Sequence, residues 1–152
     1  SQQASVSDAS DVVLVADSAQ LLRTGCADVP VQGLSSSGVK GMKLSEGSRV
    51  IAAGVIEPGT DPVVVTVSDT GALKVSAVAD YPQKGRGTGG VRCQTFRKNE
   101  TRLAAVGFGD PLPVAVGTSG SQVDYPAARV RRDAPGANPE ETVTGFGFLR
   151  RA

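Results

Sequence analysis

Lys84, Arg86, Arg92, Arg97, Lys98 and Arg102 fall within residues 84–102, where Glu100 is the single acid. Six positive charges less one leave +5 on this window, in a chain whose net charge is only +1. A local excess of Lys and Arg on a near-neutral protein attracts a polyanion; its plain alternative is a solvated face of salt bridges. Acids collect elsewhere: residues 1–32 hold Asp8, Asp11, Asp17 and Asp28 against Arg23. Inside the basic window, Gly85-Arg86-Gly87-Thr88-Gly89-Gly90 fits the G-x-G-x-x-G spacing of dinucleotide sites. That fingerprint needs a strand before it and a helix after it. Tyr81-Pro82 reads as loop, and Val91-Arg92-Cys93-Gln94-Thr95-Phe96 as strand, so no helix N-terminus is offered to a pyrophosphate. Glycines here let backbone approach a phosphate chain, or serve turns and close strand packing. With no aromatic residue in the loop, contact with duplex phosphates is favoured over stacking on single-stranded bases.

Other chemistries lack their parts. The chain has no histidine, which removes Ser-His-Asp and Cys-His nucleophile systems and His-based metal sites. Cys26 and Cys93 lie far apart and form no metal-binding pair; they are expected as reduced thiols. Acidic residues are scattered, with no EF-hand loop. The expectation is a chain with no catalytic site, no metal and no cofactor. No apolar run is long enough to span a membrane, and the N-terminus is polar and acidic instead of a signal peptide. Neither a membrane partner nor export is therefore expected.

The elements that must carry these cations are strands. Val is frequent, aromatics are scarce, and 19 Gly and 9 Pro punctuate the chain. A shift of 52 residues aligns 12–44 with 64–96 without a gap and gives 11 identities in 33 positions. Val12/Val64, Val15/Val67, Asp17/Asp69, Leu21/Leu73, Pro30/Pro82, Gly38/Gly90 and Val39/Val91 are among them. A decayed third copy follows at a shift of 49, where Val114 and Val116 echo Val65 and Val67. It loses the Gly-rich centre after Tyr125 and ends in a strand-like stretch from Thr142. Strands are predicted at 12–16, 21–24, 38–44 and 49–55, and again at 62–67, 72–77, 90–97 and 102–108, about four to each unit of roughly 50 residues. The organisation expected is a flexible segment 1–10, then repeats 11–61, 62–111 and a degenerate 112–152.

Particular stretches carry a family resemblance. Residues 38–53, GVKGMKLSEGSRVIAA, resemble the G-V-[KR]-G-[IM]-x-L-x-x-G-D-x-V-V signature of blades in the C-terminal domains of DNA gyrase and topoisomerase IV A subunits, with Ser48 at the usual Asp. Residues 81–100 resemble the companion Y-x-x-x-x-R-G-x-x-G-V segment, and 63–75 the opening of a blade. Residues 123–136, with Arg131-Arg132-Asp133, resemble the chain ends of actinobacterial members. Gln83-Lys84-Gly85-Arg86-Gly87 departs from the Q-R-R-G-G-K-G box of gyrases. This favours topoisomerase IV, or a gyrase region without its box-bearing blade.

The resemblance implies an all-β, partial β-pinwheel of about three four-stranded blades, propeller-like, with strands exchanged between neighbours; three repeats are half of a usual pinwheel. It implies a non-catalytic module that binds and bends double-stranded DNA for an ATP-dependent type II topoisomerase, in the cytoplasm on the nucleoid. The partners implied are duplex DNA, the ATPase subunit, and the N-terminal region of the A subunit. Neither Tyr81 nor Tyr125, each followed by Pro, has the context of the cleaving tyrosine. The expected DNA-binding residues are Lys40, Lys43, Arg49, Lys84, Arg86, Arg92, Arg97, Lys98 and Arg102. Lys40, Lys43 and Arg49 correspond in register to Arg92, Thr95 and Thr101, so Lys40 and Arg92 would repeat a charge on successive blades. The alternative is a structural or protein-interaction β-repeat without DNA binding. Open blade edges also raise self-association.

Overall fold

The computed structural model describes residues 9–25 and 41–147. Most of the 1–10 segment, and Cys26 and Lys40, lie outside them. Among the described residues, ten strands form three antiparallel sheets. The first is ordered β3-β1-β2-β6, from β1 (Asp11–Ala16), β2 (Gln20–Gly25), β3 (Val50–Ile56) and β6 (Val91–Arg92). The second is β5-β4-β7, from β4 (Val63–Ser68), β5 (Leu73–Ala77) and β7 (Leu103–Gly109). The third is β10-β8-β9, from β8 (Val114–Gly117), β9 (Gln122–Val123) and β10 (Val143–Gly147). A 3-10 turn at Val78–Asp80 is the one helical element among the described residues. The fold is all-β, as the Val-rich punctuated sequence predicts.

The unbroken Val runs are explained by burial on both faces. β1 and β4 are central strands, so both of their alternating side-chain sets meet protein. Val64 packs with Val13, Val15, Leu21 and Leu103 between the first two sheets. Its neighbours Val63, Val65 and Val67 pack with Ala115, Val123 and Val143 of the third sheet. The second sheet is thus sandwiched between the others. The far face of the first is covered by Met42 and Leu44, against Val12, Leu14 and Leu22.

The three sheets share a detail that identifies them as copies. Each has a bulge at the same place on its inner edge. Val15 pairs with Ala52 but Ala16 with Val50; Val67 with Ala105 but Ser68 with Leu103; Val116 with Gly145 but Gly117 with Val143. A bulge adds local twist, so each sheet turns in the same sense at the same point.

The exchange of strands that the resemblance implies is present, whereas two of the predicted strands need correction. The fourth strand of a sheet comes from further along the chain. β6, from the second repeat, pairs with β2 of the first. Likewise the stretch 129–137, from the third, bridges to β5 through Arg129–Val75 and Ala137–Leu73. The predicted strand 38–44 is also absent over its described part, because Gly41 and Lys43 make single bonds to a loop instead of a ladder. The predicted strand 90–97 shrinks to β6 because the chain changes sheets there. Cys93 N–H donates to Ala19 O at 2.8 Å, and two residues on Thr95 N–H donates to Ala134 O at 3.1 Å.

Candidate nucleic-acid interface

Three arginines meet around the turn between β1 and β2. Asp17 shapes it: its carboxylate accepts the Arg49 N–H at 3.1 Å, and its own N–H donates to Arg49 O at 2.9 Å. Asp17 O accepts the Leu103 N–H at 2.8 Å, which sets Arg102 beside the same turn. Arg92 pairs with Gln20 on the other side. The second repeat reuses the device. Asp69 accepts the N–H and hydroxyl of Thr101, and the hydroxyl bond holds its carboxyl below the usual carboxylate range.

A second group adjoins the first. Gly87 N–H donates to Gly41 O and Lys43 N–H to Thr88 O, both at 2.9 Å, so Lys43 lies against the loop that carries Arg86. Lys84 N–H donates to Arg23 O at 2.8 Å and ties that loop to β2. Gly89 lies against both Lys43 O and the Gln20 side chain, joining the two groups. Arg97 and Lys98 stand on a separate turn, capped where Arg97 N–H donates to Glu100 Oε1 at 2.9 Å.

Lys43, Arg49, Lys84, Arg86, Arg92, Arg97, Lys98 and Arg102 are all exposed, and none makes an ion pair among the described residues. The paired cations are others: Arg23 with Asp11 at 2.6 Å, Arg129 with Asp61 at 3.0 Å and Arg131 with Asp133 at 3.6 Å. Exposed Asp61 and Asp110 and half-buried Glu57 lie at the opposite strand ends, where Asp61 N–H donates to Asp110 Oδ2 at 3.3 Å. Cations thus outnumber acids at the end that carries Arg49 and Arg102, where exposed Glu46 and Asp69 also lie, and Asp61 and Asp110 mark the far end beside Arg129. The third sheet departs from this pattern. Glu140 and Glu141 precede β10, where Arg49 and Arg102 precede β3 and β7. Arg92 sits on the edge of the first sheet, since β6 is exchanged onto it.

Several cations were less legible in the sequence. Arg23 is structural: besides Asp11, it donates to the carbonyls of Val78 and Tyr81 at 3.2 and 3.3 Å. Lys74 is buried on β5, its Nζ donating to Arg132 O at 2.6 Å and Arg131 O at 3.2 Å. The one signal was its counterpart Leu22, an apolar residue at the same repeat position. Tyr81 is buried, its hydroxyl 2.8 Å from that of Ser76 and its pKa raised by burial. Among the described residues no cluster of acids or cysteines is placed to hold a metal, and no helix is long and apolar enough to cross a membrane. The latter says nothing of β-barrels.

Serial small sheets, the first completed by a strand from further along the chain and the second bridged in the same way, define a blade-repeat protein of the propeller type. The chain belongs to the family described as the DNA gyrase C-terminal domain, β-propeller, whose model matches residues 10–57 and 62–106. It is 37% identical over 95 residues to topoisomerase subunit TopoM of Mycolicibacterium smegmatis, spanning 62% of this chain and 13% of that protein. It is 32% identical over 127 residues to the DNA gyrase A protein of Mycobacterium tuberculosis, spanning 82% of this chain and 15% of that protein. The chain thus spans only a small part of the length of these relatives. Among solved structures, the C-terminal domain of DNA topoisomerase IV superposes with a TM-score of 0.71 at 18% identity, over 92% of this chain and 46% of that one. The DNA gyrase A C-terminal domain superposes with a TM-score of 0.66 at 19% identity, over 92% and 47%.

Proposed function

We propose that this chain is a non-catalytic module that binds duplex DNA by its phosphates and bends it, serving the A subunit of a type II topoisomerase. The observation that carries this is the segregation of charge. Eight exposed cations that make no ion pair among the described residues stand in or beside the loops that border the first two sheets, three of them arginines around one turn, and they outnumber the exposed acids Glu46 and Asp69 near them. Unpaired cations on one rim attract phosphates and release counterions; cations neutralised by neighbouring carboxylates do not. The blade units proposed are 11–61, 62–111 and 112–152, the second and third of which pair backward onto the sheet before. The partners proposed are duplex DNA, the N-terminal region of the parent A subunit, and the ATPase subunit, which supplies the ATP dependence, in the cytoplasm on the nucleoid.

Fluorescence anisotropy with a labelled duplex tests the reading. Binding should weaken with salt, and the Arg49→Ala, Arg92→Ala, Arg102→Ala triple variant should reduce the slope of log K against log salt by about 3. Binding indifferent to salt, or none at low salt, would overturn it. The protein-interaction reading draws its support from the third sheet, with its acidic approach to β10 and exposed Leu112.

A further inference from the structure

We propose that residues 129–137 give the second sheet a phosphate-binding site on its outer edge, beyond β5, centred on Arg132 and held partly neutralised by Asp133 and Asp61. The site rests on the DNA reading above and adds cations that lie outside the basic window 84–102. Two docked segments obey one register. Gln83 bridges to Arg23 of β2, and Arg129 bridges to Val75, the counterpart of Arg23 on β5. Lys84 N–H donates to Arg23 O as Val130 N–H donates to Val75 O. Thr88 O accepts the Lys43 N–H as Ala134 O accepts the Thr95 N–H. A Cβ on Gly90 would strike the backbone of β2, and one on Gly136 the backbone entering β5. All four matches agree on a separation of 46 residues. At that separation Arg132 stands where Arg86 stands on the first sheet, and Arg131 where Gly85 does. The shift of 49 that aligns Val114 with Val65 sets Pro135 opposite Arg86 and hides the match.

The backbone beneath these arginines is held from two sides. Lys74 Nζ donates to Arg132 O at 2.6 Å and to Arg131 O at 3.2 Å, and the Thr95 hydroxyl donates to Asp133 O at 2.6 Å. Leu22, the counterpart of Lys74 on the first sheet, has no group that could make such bonds. Cations on backbone that is already ordered lose less freedom when they take a ligand. Arg131 is exposed and Arg132 half-buried, and the Arg132 guanidinium makes no ion pair among the described residues. Its neighbours are tempered. Arg131 Nε lies 3.6 Å from Asp133 Oδ1, and Arg129 Nη1 lies 3.0 Å from Asp61 Oδ2. Both pairs are exposed to solvent, so each is weak and a phosphate can compete for its arginine. The matching edge of the first sheet carries Lys43, Lys84 and Arg86, which make no ion pair among the described residues. The two edges thus repeat a set of three cations, full strength on the first sheet and damped by two carboxylates on the second.

Anisotropy of a labelled duplex with the full 152-residue chain tests the site. Arg132→Gln should weaken binding about fivefold and lower the slope of log K against log salt by about 1. Asp133→Asn should tighten binding about threefold, and that gain should vanish in an Arg131→Gln background. Asp61→Asn should behave in the same way against Arg129→Gln. A gain that came from net charge alone would survive in both backgrounds. Urea midpoints that stay with the unaltered chain's separate a lost contact from a lost fold. An Arg132→Gln chain with unchanged affinity and slope would overturn the site, as would an Asp133→Asn gain that persists beside Arg131→Gln. The DNA reading survives either result as long as the Arg49, Arg92, Arg102 triple variant lowers the slope. An unaltered chain that binds no duplex at low salt would remove both.

Discussion

Gly90→Ala should destabilise the fold by about 3 kcal/mol or more. Gly90 has φ +71°, and a Cβ there would stand 2.3 Å from Leu21 O, 2.6 Å from Leu21 C and 2.9 Å from Leu22 Cα. All three atoms are backbone of β2, so no side chain can swing aside; β6 must leave β2 or the turn must rearrange. Two neighbours serve as controls. Gly87, at φ +87° in open space, should lose only the roughly 1 kcal/mol that a left-handed alanine costs. Gly85, with neither constraint, should tolerate alanine. Chemical denaturation of the three variants reads this order directly. Equal losses at 85, 87 and 90 would show that the exchanged strand does not lie against β2.

Lys74→Met should reverse part of the pH dependence of stability. Burial holds the Lys74 ammonium down, from 10.5 to about 8, despite its two carbonyl acceptors; Asp133 and Asp80 pull the other way, and Arg132 adds to the lowering. Between about pH 8 and 10.5 the unfolded chain thus holds a proton that the folded chain has released, and folding becomes more favourable as pH rises. Wild type should gain on the Met variant by at most about 1.4 kcal/mol per pH unit across that window. Cys93, pushed up by burial to about 12, opposes the trend from pH 9 upward in both chains and largely cancels in the comparison. Urea midpoints for the two chains at about pH 7.5, 8.5 and 9.5 test the sign. A constant gap would mean that burial does not lower the Lys74 pKa and that the folded chain keeps its ammonium as the unfolded chain does.

The strands at 12–16, 62–67, 49–55 and 102–108 were legible because both central strands are Val-rich and each is followed by a turn signal. The repeat was legible because Asp17 and Asp69 do the same backbone work in their turns, and so keep the same spacing from Val15 and Val67. The exchange of strands could be expected from the resemblance but not from the residues. Alternation states which side chains face inward, yet not whose neighbour a strand is, and Val91-Arg92 would alternate equally well on either sheet. The third sheet was legible at Val114 and Val116, but its later parts slip. Val130 takes the place of Lys84 at a separation of 46 residues, and Val143 that of Leu103 at 40, because the connections shorten. Gly136 keeps the role of Gly90, its would-be Cβ 2.8 Å from Ala72 C, although the loop around it has lost its other glycines. Of the basic residues, the window 84–102 was plain, whereas the meeting of Arg49, Arg92 and Arg102 at one turn depends on contacts across repeats that spacing cannot convey.

Cys93 follows β6 directly, fully buried, with its amide bonded to the turn of the preceding sheet. A thiol in that place is shielded from alkylating reagents for as long as the seam between the first two sheets stays shut. In a Cys26→Ser background, the rate of iodoacetamide labelling therefore becomes a clock for parting of the blades. Labelling that outruns global unfolding would show the repeats unzipping one at a time, and labelling that keeps pace with it would show them melting as one body.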